Sequence, residues 1–263
     1  MESYSLRNVV SLDGLWDFQS LGDVDVESFG AGTEACSGLM IVPGAFDALP
    51  AHGGRRGLAV YRRLINVRAG CRARIHFGAV SIWCRVLIDG TPVGDHACGY
   101  APFYRDVPPS ENSIRELTVL VDNRFDTQRA PMHEVYSDFY QYGGIIRGVM
   151  LHQFAPSQQF IDRLEVTPSV LGYREGEIEV AVSIDGGLAG AGDLTFQFDQ
   201  SLTIPCSEIP GSDGVVRVTL KVPDPKIWSP RTPHLHQLRV VLHQNGTPRR
   251  RYGNVLRLEN DQS

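Results

Sequence analysis

The feature that most constrains the fold is an alternation of apolar and polar residues with a period of two. Apolar side chains occupy every second position in residues 178–184, and the same spacing recurs in residues 216–222 and 238–242. A β-strand places alternate side chains on opposite faces, so this spacing predicts strands that bury one face. No segment carries an apolar stripe of helical spacing over three turns. We therefore predict an all-β chain with helix confined to short turns in loops.

Two dipeptides predict tight turns between such strands. Asp89-Gly90 follows the apolar run 82–88, and Asn245-Gly246 separates residues 238–244 from residues 248–256. Both dipeptides tolerate the positive φ angles that a two-residue hairpin turn requires. They predict antiparallel hairpins at these two points, as in a β-sandwich.

The sequence also indicates a division into two domains. The segment Phe154-Ala155-Pro156-Ser157 follows one strand-like run and precedes another, and a proline at the end of a strand interrupts its hydrogen-bond ladder. We place the domains at residues 1–155 and 156–263. A piece of about 150 residues fits a jelly-roll β-sandwich. A piece of about 100 residues fits an immunoglobulin-like β-sandwich.

Charge and composition narrow the class of partner. The chain of 263 residues has a net charge of -5, so it lacks the basic surface that nucleic acids or anionic membranes attract, and we expect neither as a partner. Residues 1–7 lack the basic and apolar regions of a secretory signal. The five cysteines are irregularly spaced, which predicts free thiols rather than a disulfide framework or a zinc site. Together these features predict a cytoplasmic protein.

Seven short segments then stand in a characteristic order along the chain. They are Leu12-Asp13-Gly14-Leu15-Trp16, Val42-Pro43-Gly44-Ala45-Phe46, Val60-Tyr61-Arg62-Arg63, Gly99-Tyr100-Ala101-Pro102-Phe103, residues 117–123, residues 138–147 (DFYQYGGIIR) and Ile227-Trp228-Ser229-Pro230. The set resembles the N-terminal region of glycoside hydrolase family 2, and of its β-glucuronidases and β-galactosidases in particular. The resemblance covers nearly the whole chain.

The resemblance implies a galactose-binding-like jelly roll, then an immunoglobulin-like domain, then a (β/α)8 barrel that carries two catalytic glutamates and needs no cofactor. Retaining glycosidases use two carboxyl groups about 5–5.5 Å apart. This chain contains no Asn-Glu dipeptide, the sequence in which the family places its acid/base glutamate. Too few residues follow position 258 for a barrel of about 250 residues. We therefore expect this chain alone not to hydrolyse glycosides, and expect a barrel domain or subunit as its partner.

One residue inherits a site role from the resemblance. In the family, the aspartate that matches Asp138 lies on a loop that reaches the active site and contacts hydroxyls of the terminal sugar. A carboxylate suits this role because it can accept strong hydrogen bonds from two adjacent hydroxyls. The alternative is that Asp138 only shapes a turn before Gly143-Gly144, as loop aspartates commonly do. Val60 stands where the family usually has tryptophan. Gly57-Leu58-Ala59 stands where the family often has an asparagine that faces the sugar in some members, and its loss leaves the sugar preference open.

Other candidate residues favour structural roles. His234 and His236 have a spacing of two, but no third metal ligand accompanies them in the sequence, so we assign them to a structural strand. His236 replaces a tyrosine that is common in the family, which we interpret as a packing change. Trp16, Trp83 and Trp228 are interpreted as core residues rather than as a platform for stacking sugars. We thus predict no metal site.

Two further functions remain open from the sequence. A jelly roll can act as a stand-alone carbohydrate-binding module, since lectins use the same architecture. Alternatively, the two sandwiches could form an interaction protein that associates through an exposed apolar surface, including as a homo-oligomer. A glycoside is a possible ligand in the first of these readings.

Overall fold

The computed structural model describes residues 8–29, 36–125, 141–170, 175–185, 193–199, 202–206, 214–244 and 247–256. Within these ranges the chain is built of β-strands, with short 3-10 turns at Val26–Ser28 and Phe46–Ala48. None of the helical segments in the described ranges has the length and apolar character needed to cross a bilayer. Contacts divide the chain into two compact units, of which one comprises Arg7–Pro156 and the other contains Ser157–Ser263.

The first unit is a sandwich of two antiparallel sheets. Its strands in chain order are β1 (Asn8–Ser11), β2 (Gly14–Gly22), β3 (Gly38–Val42), β4 (Leu58–Asn66), β5 (Arg72–Phe77), β6 (Val80–Ser81), β7 (Trp83–Ile88), β8 (Thr91–Ala97), β9 (Phe103–Val107), β10 (Ile114–Asp122), β11 (Gly144–Ile145) and β12 (Val149–Phe154). One sheet has the order β3-β2-β4-β10-β7-β8 and the other β1-β12-β5-β9, while β6 and β11 form a short pair. Several adjacent strands, such as β4 and β10, are distant in sequence, which is typical of a jelly roll.

The six-stranded sheet is covered on both faces. On β10, Val119 and Val121 belong to the main core between the two sheets, whereas Leu120 packs on the opposite face with Trp83 and Val26. Burial on both faces explains why residues 117–121 form a nearly continuous apolar run instead of an alternating one. The segment that includes the first 3-10 turn contributes Val26 to this second cluster.

The second unit is a seven-stranded sandwich among the described residues. Its strands are β13 (Phe160–Val170), β14 (Glu175–Asp185), β15 (Asp193–Phe198), β16 (Leu202–Cys206), β17 (Val215–Pro223), β18 (His236–Gln244) and β19 (Thr247–Leu256). A three-stranded sheet, β13-β14-β17, accompanies a four-stranded sheet, β16-β15-β18-β19. Three strands facing four is an immunoglobulin-like arrangement.

The predicted alternation is confirmed in this unit. Ile178 pairs with Leu220, and Val182 pairs with Val216, and all four side chains are buried. The odd-numbered residues that alternate with them on both strands, such as Glu179, are exposed or half-buried. The all-β prediction of a jelly roll followed by an immunoglobulin-like sandwich is confirmed.

The Asp89-Gly90 hairpin is also confirmed. Asp89 has φ of 49° and Gly90 has φ of 79°, and Ile88 pairs with Thr91 across the turn. Strands β18 and β19 pair as a hairpin as well, although Asn245-Gly246 itself lies outside the described residues.

Candidate functional site: the base of segment 126–140

Asp138 lies in segment 126–140, which is outside the described residues. The residues on both sides of this segment are described, and they belong to a buried polar cluster of the first unit. On one side Asn123 follows the end of β10, and on the other side Gln141 and Gly143 precede β11. The geometry of this base determines how the two ends of the segment are held.

Asn123 is the centre of the base. Its side chain is fully buried, and the Nδ2 amide donates to Oδ2 of Asp47 at 2.8 Å and to the carbonyl of Arg55 at 3.0 Å. Its Oδ1 accepts a hydrogen bond from the backbone N–H of Gly57 at 2.8 Å. Both amide hydrogens and the carbonyl oxygen therefore have partners, as a buried polar side chain requires.

Asp47 ties the opposite end of the segment to the same cluster. It lies in the second 3-10 turn and is only 3% exposed. Both of its carboxylate oxygens lie 3.1 Å from the backbone N–H of Gly143, which donates to them. The carbonyl of Gly143 in turn accepts from the N–H of Phe46 at 3.0 Å. A buried carboxylate with charge-assisted hydrogen bonds fixes the position of its donors firmly.

Arg56 joins the two ends directly. Its Nη1 donates to the carbonyl of Asn123 at 2.6 Å and to the carbonyl of Gln141 at 3.0 Å. Its guanidinium also lies over the ring of Phe125, 4.8 Å from the ring centroid. One cation thus holds a backbone group from each side of segment 126–140, and we call Asp47, Arg56, Asn123 and Gly143 the loop clamp.

Two consecutive glycines are needed for this packing. A Cβ on Gly143 would lie 2.3 Å from Cβ of Asn123, and a Cβ on Gly144 would lie 2.4 Å from the carbonyl oxygen of Gly44. Gly144 also has φ of 145°, a conformation that residues with a Cβ rarely adopt. The Gly143-Gly144 pair therefore allows the chain to pass directly against the loop clamp.

Tyr61 of β4 contributes to the electrostatics of this region. Its side chain is fully buried. Burial raises the pKa of the Tyr61 hydroxyl, and the negative charge of Asp47 raises it further. Tyr61 is therefore a neutral phenol at physiological pH.

The tryptophans lie mostly where the sequence predicts. Trp16 and Trp83 are buried, which confirms them as core residues, and Nε1 of Trp16 donates to the carbonyl of Leu12 at 2.7 Å. Trp228 is only half-buried, so its assignment to the core is wrong in part. The buried pair has no surface on which a sugar ring could stack.

Only one residue of the pair His234 and His236 lies on a strand, and both rings are close to a carboxylate. His234 precedes β18, whereas His236 is its first residue, and the carboxylate of Asp199 lies beside both rings. The sequence did not indicate Asp199, which is distant along the chain. The interpretation of His236 as a packing change is incomplete, because its ring makes two polar contacts.

A second polar feature lies on the three-stranded sheet of the second unit. It is a shallow depression of about 340 Å³ that is lined by Glu165, Thr167, Glu179, Val180, Ala181, Arg217, Val218 and Thr219. No aromatic side chain is among these eight residues, so the depression has no stacking platform of the kind that favours sugars.

Comparisons with known proteins were made in sequence and in structure. A family model described as Glycosyl hydrolases family 2 matches residues 159–254. A protein of Formosa agariphila that carries the name β-glucuronidase is 24% identical over 260 residues, covering 93% of this chain and 30% of its own length. A β-glucuronidase of Paenibacillus borealis is 27% identical over 209 residues, covering 66% of this chain and 31% of its own length.

Solved structures agree with the fold. A β-glucuronidase of Bifidobacterium dentium matches 96% of this chain and 48% of its own, with a TM-score of 0.74 and 20% identity. A β-galacturonidase of Eisenbergiella tayi, bound to galacturonate, matches 96% of this chain and 43% of its own, with a TM-score of 0.66 and 25% identity. The chain is therefore a relative of the family 2 glycosyl hydrolases, and it spans about a third of the length of the curated relatives named above.

Proposed function

We propose that this chain is the non-catalytic scaffold of a family 2 glycoside hydrolase, and that it presents Asp138 to the sugar in a pocket whose catalytic carboxylates belong to a barrel domain. The loop clamp carries this proposal. It holds Asn123 and Gly143, on either side of segment 126–140, through contacts of 2.6–3.1 Å to Asp47 and Arg56. Such a rigid base is what a loop needs in order to place one carboxylate accurately.

The chemistry of Asp138 fits a binding role. An ionised carboxylate accepts hydrogen bonds from two neighbouring sugar hydroxyls, and bonds to charged acceptors contribute about 1.5–3 kcal/mol each. A fixed loop base reduces the conformational entropy that is lost when the sugar binds. The carboxylate therefore orients the sugar, while bond cleavage depends on carboxyl groups outside this chain.

The relatives suggest the class of substrate. Those named above are β-glucuronidases and a β-galacturonidase, and other relatives carry the name β-galactosidase. We therefore take β-linked uronides as the first class to test and β-galactosides as the second. The barrel domain is the proposed partner of the chain.

The first experiment measures hydrolysis of aryl β-D-glucuronides, β-D-galacturonides and β-D-galactosides by the purified chain and by a fusion of this chain to the barrel of the Formosa agariphila relative. We expect hydrolysis by the fusion and none by the chain alone. A folded fusion without activity would count against the scaffold role. Activity of the chain alone that one glutamate substitution within it abolishes would refute the non-catalytic role.

The second experiment tests Asp138 in the active fusion. Asp138→Asn should lower kcat/KM by about 10–150-fold, which corresponds to the loss of one charged hydrogen bond. Glu111→Gln is the matched control, because Glu111 is exposed and lies away from the loop clamp in the segment between β9 and β10. Equal activities of the two variants would show that Asp138 does not contact the substrate.

A further inference from the structure

Three potential metal ligands converge in the second unit. Asp199 directly follows β15, His234 precedes β18, and His236 begins β18. One ligand atom from each residue lies within 4.8 Å of the ligand atoms of the other two. Two nitrogen ligands and one carboxylate, completed by water, form a common set for a divalent transition metal.

The carboxylate of Asp199 is placed by its own backbone. Asp199 has φ of 45°, a left-handed conformation that aspartate adopts more readily than most residues. Its N–H donates to the carbonyl of Gln237 at 2.9 Å, and its Oδ1 accepts from the N–H of Gln237 at 2.8 Å. These bonds leave Oδ2 directed at the ring of His236, 2.5 Å from Nδ1.

The ring of His236 is fixed on its other side. It is 3% exposed and stacks on Phe198 with 4.9 Å between ring centroids. Its Nε2 lies 3.0 Å from the carbonyl oxygen of Lys226, which can only accept, so Nε2 carries the hydrogen of that bond. A histidine that donates one ring N–H to a backbone carbonyl and offers the other nitrogen as a ligand is the usual arrangement at metal sites.

At 2.5 Å, Nδ1 of His236 and Oδ2 of Asp199 are in direct contact, so an ion does not fit between them in this arrangement. Two ligands of one tetrahedral ion at about 2.0–2.2 Å are about 3.3–3.6 Å apart. Metal binding therefore requires the carboxylate of Asp199 to turn away from Nδ1 by about 1 Å.

His234 supplies the third ligand atom at the more exposed side of the cluster. Its ring is half-buried and meets the ring of His236 edge to face, with 4.8 Å between centroids. Ligands that share one ion at about 2.0–2.2 Å lie within about 4 Å of each other. A rotation of the less buried His234 side chain and a small turn of the Asp199 carboxylate bring the three ligand atoms to this spacing, while the ring of His236 stays fixed.

We propose that Asp199, His234 and His236 bind one divalent transition-metal ion of the zinc class, with water completing the coordination. The ion would join the end of β15 to the start of β18 and so act as a structural staple of the four-stranded sheet. The site is independent of the proposed role of Asp138.

Titration with Zn²⁺ by calorimetry tests the proposal, with Co²⁺ absorption as a second readout that separates nitrogen and oxygen ligands from thiolates. We expect one ion per chain, a rise in melting temperature with Zn²⁺, and a Co²⁺ spectrum without thiolate charge transfer. Loss of a direct ligand should weaken binding by more than the 10–100-fold that is typical of losing a supporting partner.

Two variants and a control make the outcome specific. His234→Gln removes the half-buried ligand without opening the core, and Asp199→Asn removes the anionic ligand at nearly constant volume. His243→Gln is the control, because His243 lies on the same strand and its Nε2 contacts Oγ1 of Thr195. Weakened binding in both ligand variants but not in the control supports the site. No binding, or binding that the ligand variants leave unchanged, overturns it in favour of a direct contact between Asp199 and His236 without a metal.

Discussion

At the scale of single residues, Asn123 is the side chain on which the loop clamp most depends. Replacing it with alanine leaves the N–H of Gly57 and the carbonyl of Arg55 without their buried partners. We expect Asn123→Ala to lower the free energy of unfolding by about 1–3 kcal/mol, measured by urea denaturation. Asn112→Ala, at an exposed position, is the control and should have little effect. Similar losses in both variants would mean that the clamp contributes little to stability.

A second residue-scale prediction concerns pH. Burial lowers the pKa of His76, and burial followed by the positive charge of Arg105 lowers the pKa of His96. Both folded values lie below the unfolded value of about 6.5. The unfolded chain therefore takes up protons first as pH falls. Their contribution to stability should be constant above about pH 7.5 and should decrease as pH drops through about 6.5 toward the folded pKa values.

Thermal unfolding across this pH range measures the effect. The double variant His76→Gln, His96→Gln should lose part of the pH dependence, since glutamine does not titrate. His96 stacks on Phe103 with 4.0 Å between centroids, so the variant is expected to be less stable at every pH. The relevant comparison is therefore the slope of stability against pH. Equal slopes in the two proteins would contradict the assignment.

Individual site residues were only partly predictable from the sequence. An asparagine directly after the strand that ends at Asp122 was an available signal for Asn123, but nothing in the spacing joins it to Asp47 or Arg56. Those contacts depend on how strands distant in sequence pair. Asp199 was missed for the same reason, since its approach to His236 follows from the pairing of β15 with β18.

At the scale of elements, two glycines of the loop before β4 can be compared, of which only one packs closely against β2. Gly57 has φ of 136°, and an added Cβ would lie 2.1 Å from the carbonyl oxygen of Gly22. Gly54, in the same loop, has φ of 72° and nothing within 4 Å of such a Cβ. Gly54→Ala should therefore cost only the backbone strain of about 1–2 kcal/mol.

Gly57→Ala adds a backbone clash to that strain and should be clearly more destabilising. Denaturant midpoints of the two variants measured side by side isolate the effect of the clash. The N–H of residue 57 donates a hydrogen bond to Oδ1 of Asn123, so a shift of this residue should also disturb the loop clamp. Equal midpoints would show that β2 and the loop before β4 can separate without cost.

Elements were easier to predict than sites because their signals are local. The alternation in residues 178–184 and 216–222 and the Asp89-Gly90 turn depend on neighbours along the chain, and the structure confirms them. The order of strands in each sheet was not available from such signals, because it depends on pairing between segments that are distant in sequence. The family resemblance supplied the architecture of each domain and not its strand order.

At the scale of the whole molecule, the two units have separate cores. The core of the first unit lies between its two sheets, and the core of the second is formed by residues from Ile161 to Leu242. We expect a fragment of residues 7–156 and a fragment of residues 157–263 each to unfold cooperatively on heating. Calorimetry of the two fragments and of the intact chain measures this.

The control is a fragment that ends at Asp122. It lacks β11 and β12, and β12 pairs with both β1 and β5, so this fragment should not give a cooperative transition. Failure of the fragment 7–156 to unfold cooperatively would show that the first unit depends on the second for its stability. That result would also argue against residues 1–155 as an independent domain.

The loop clamp has one consequence for how such proteins can change. Because Arg56 and Asp47 grip backbone groups on each side of segment 126–140, the anchor points do not depend on the side chains between them. Substitutions within the segment should therefore leave the clamp intact. If Asp138 binds the sugar as proposed, a change of substrate specificity is expected to need new residues only in segment 126–140, and not in the sandwich that carries it.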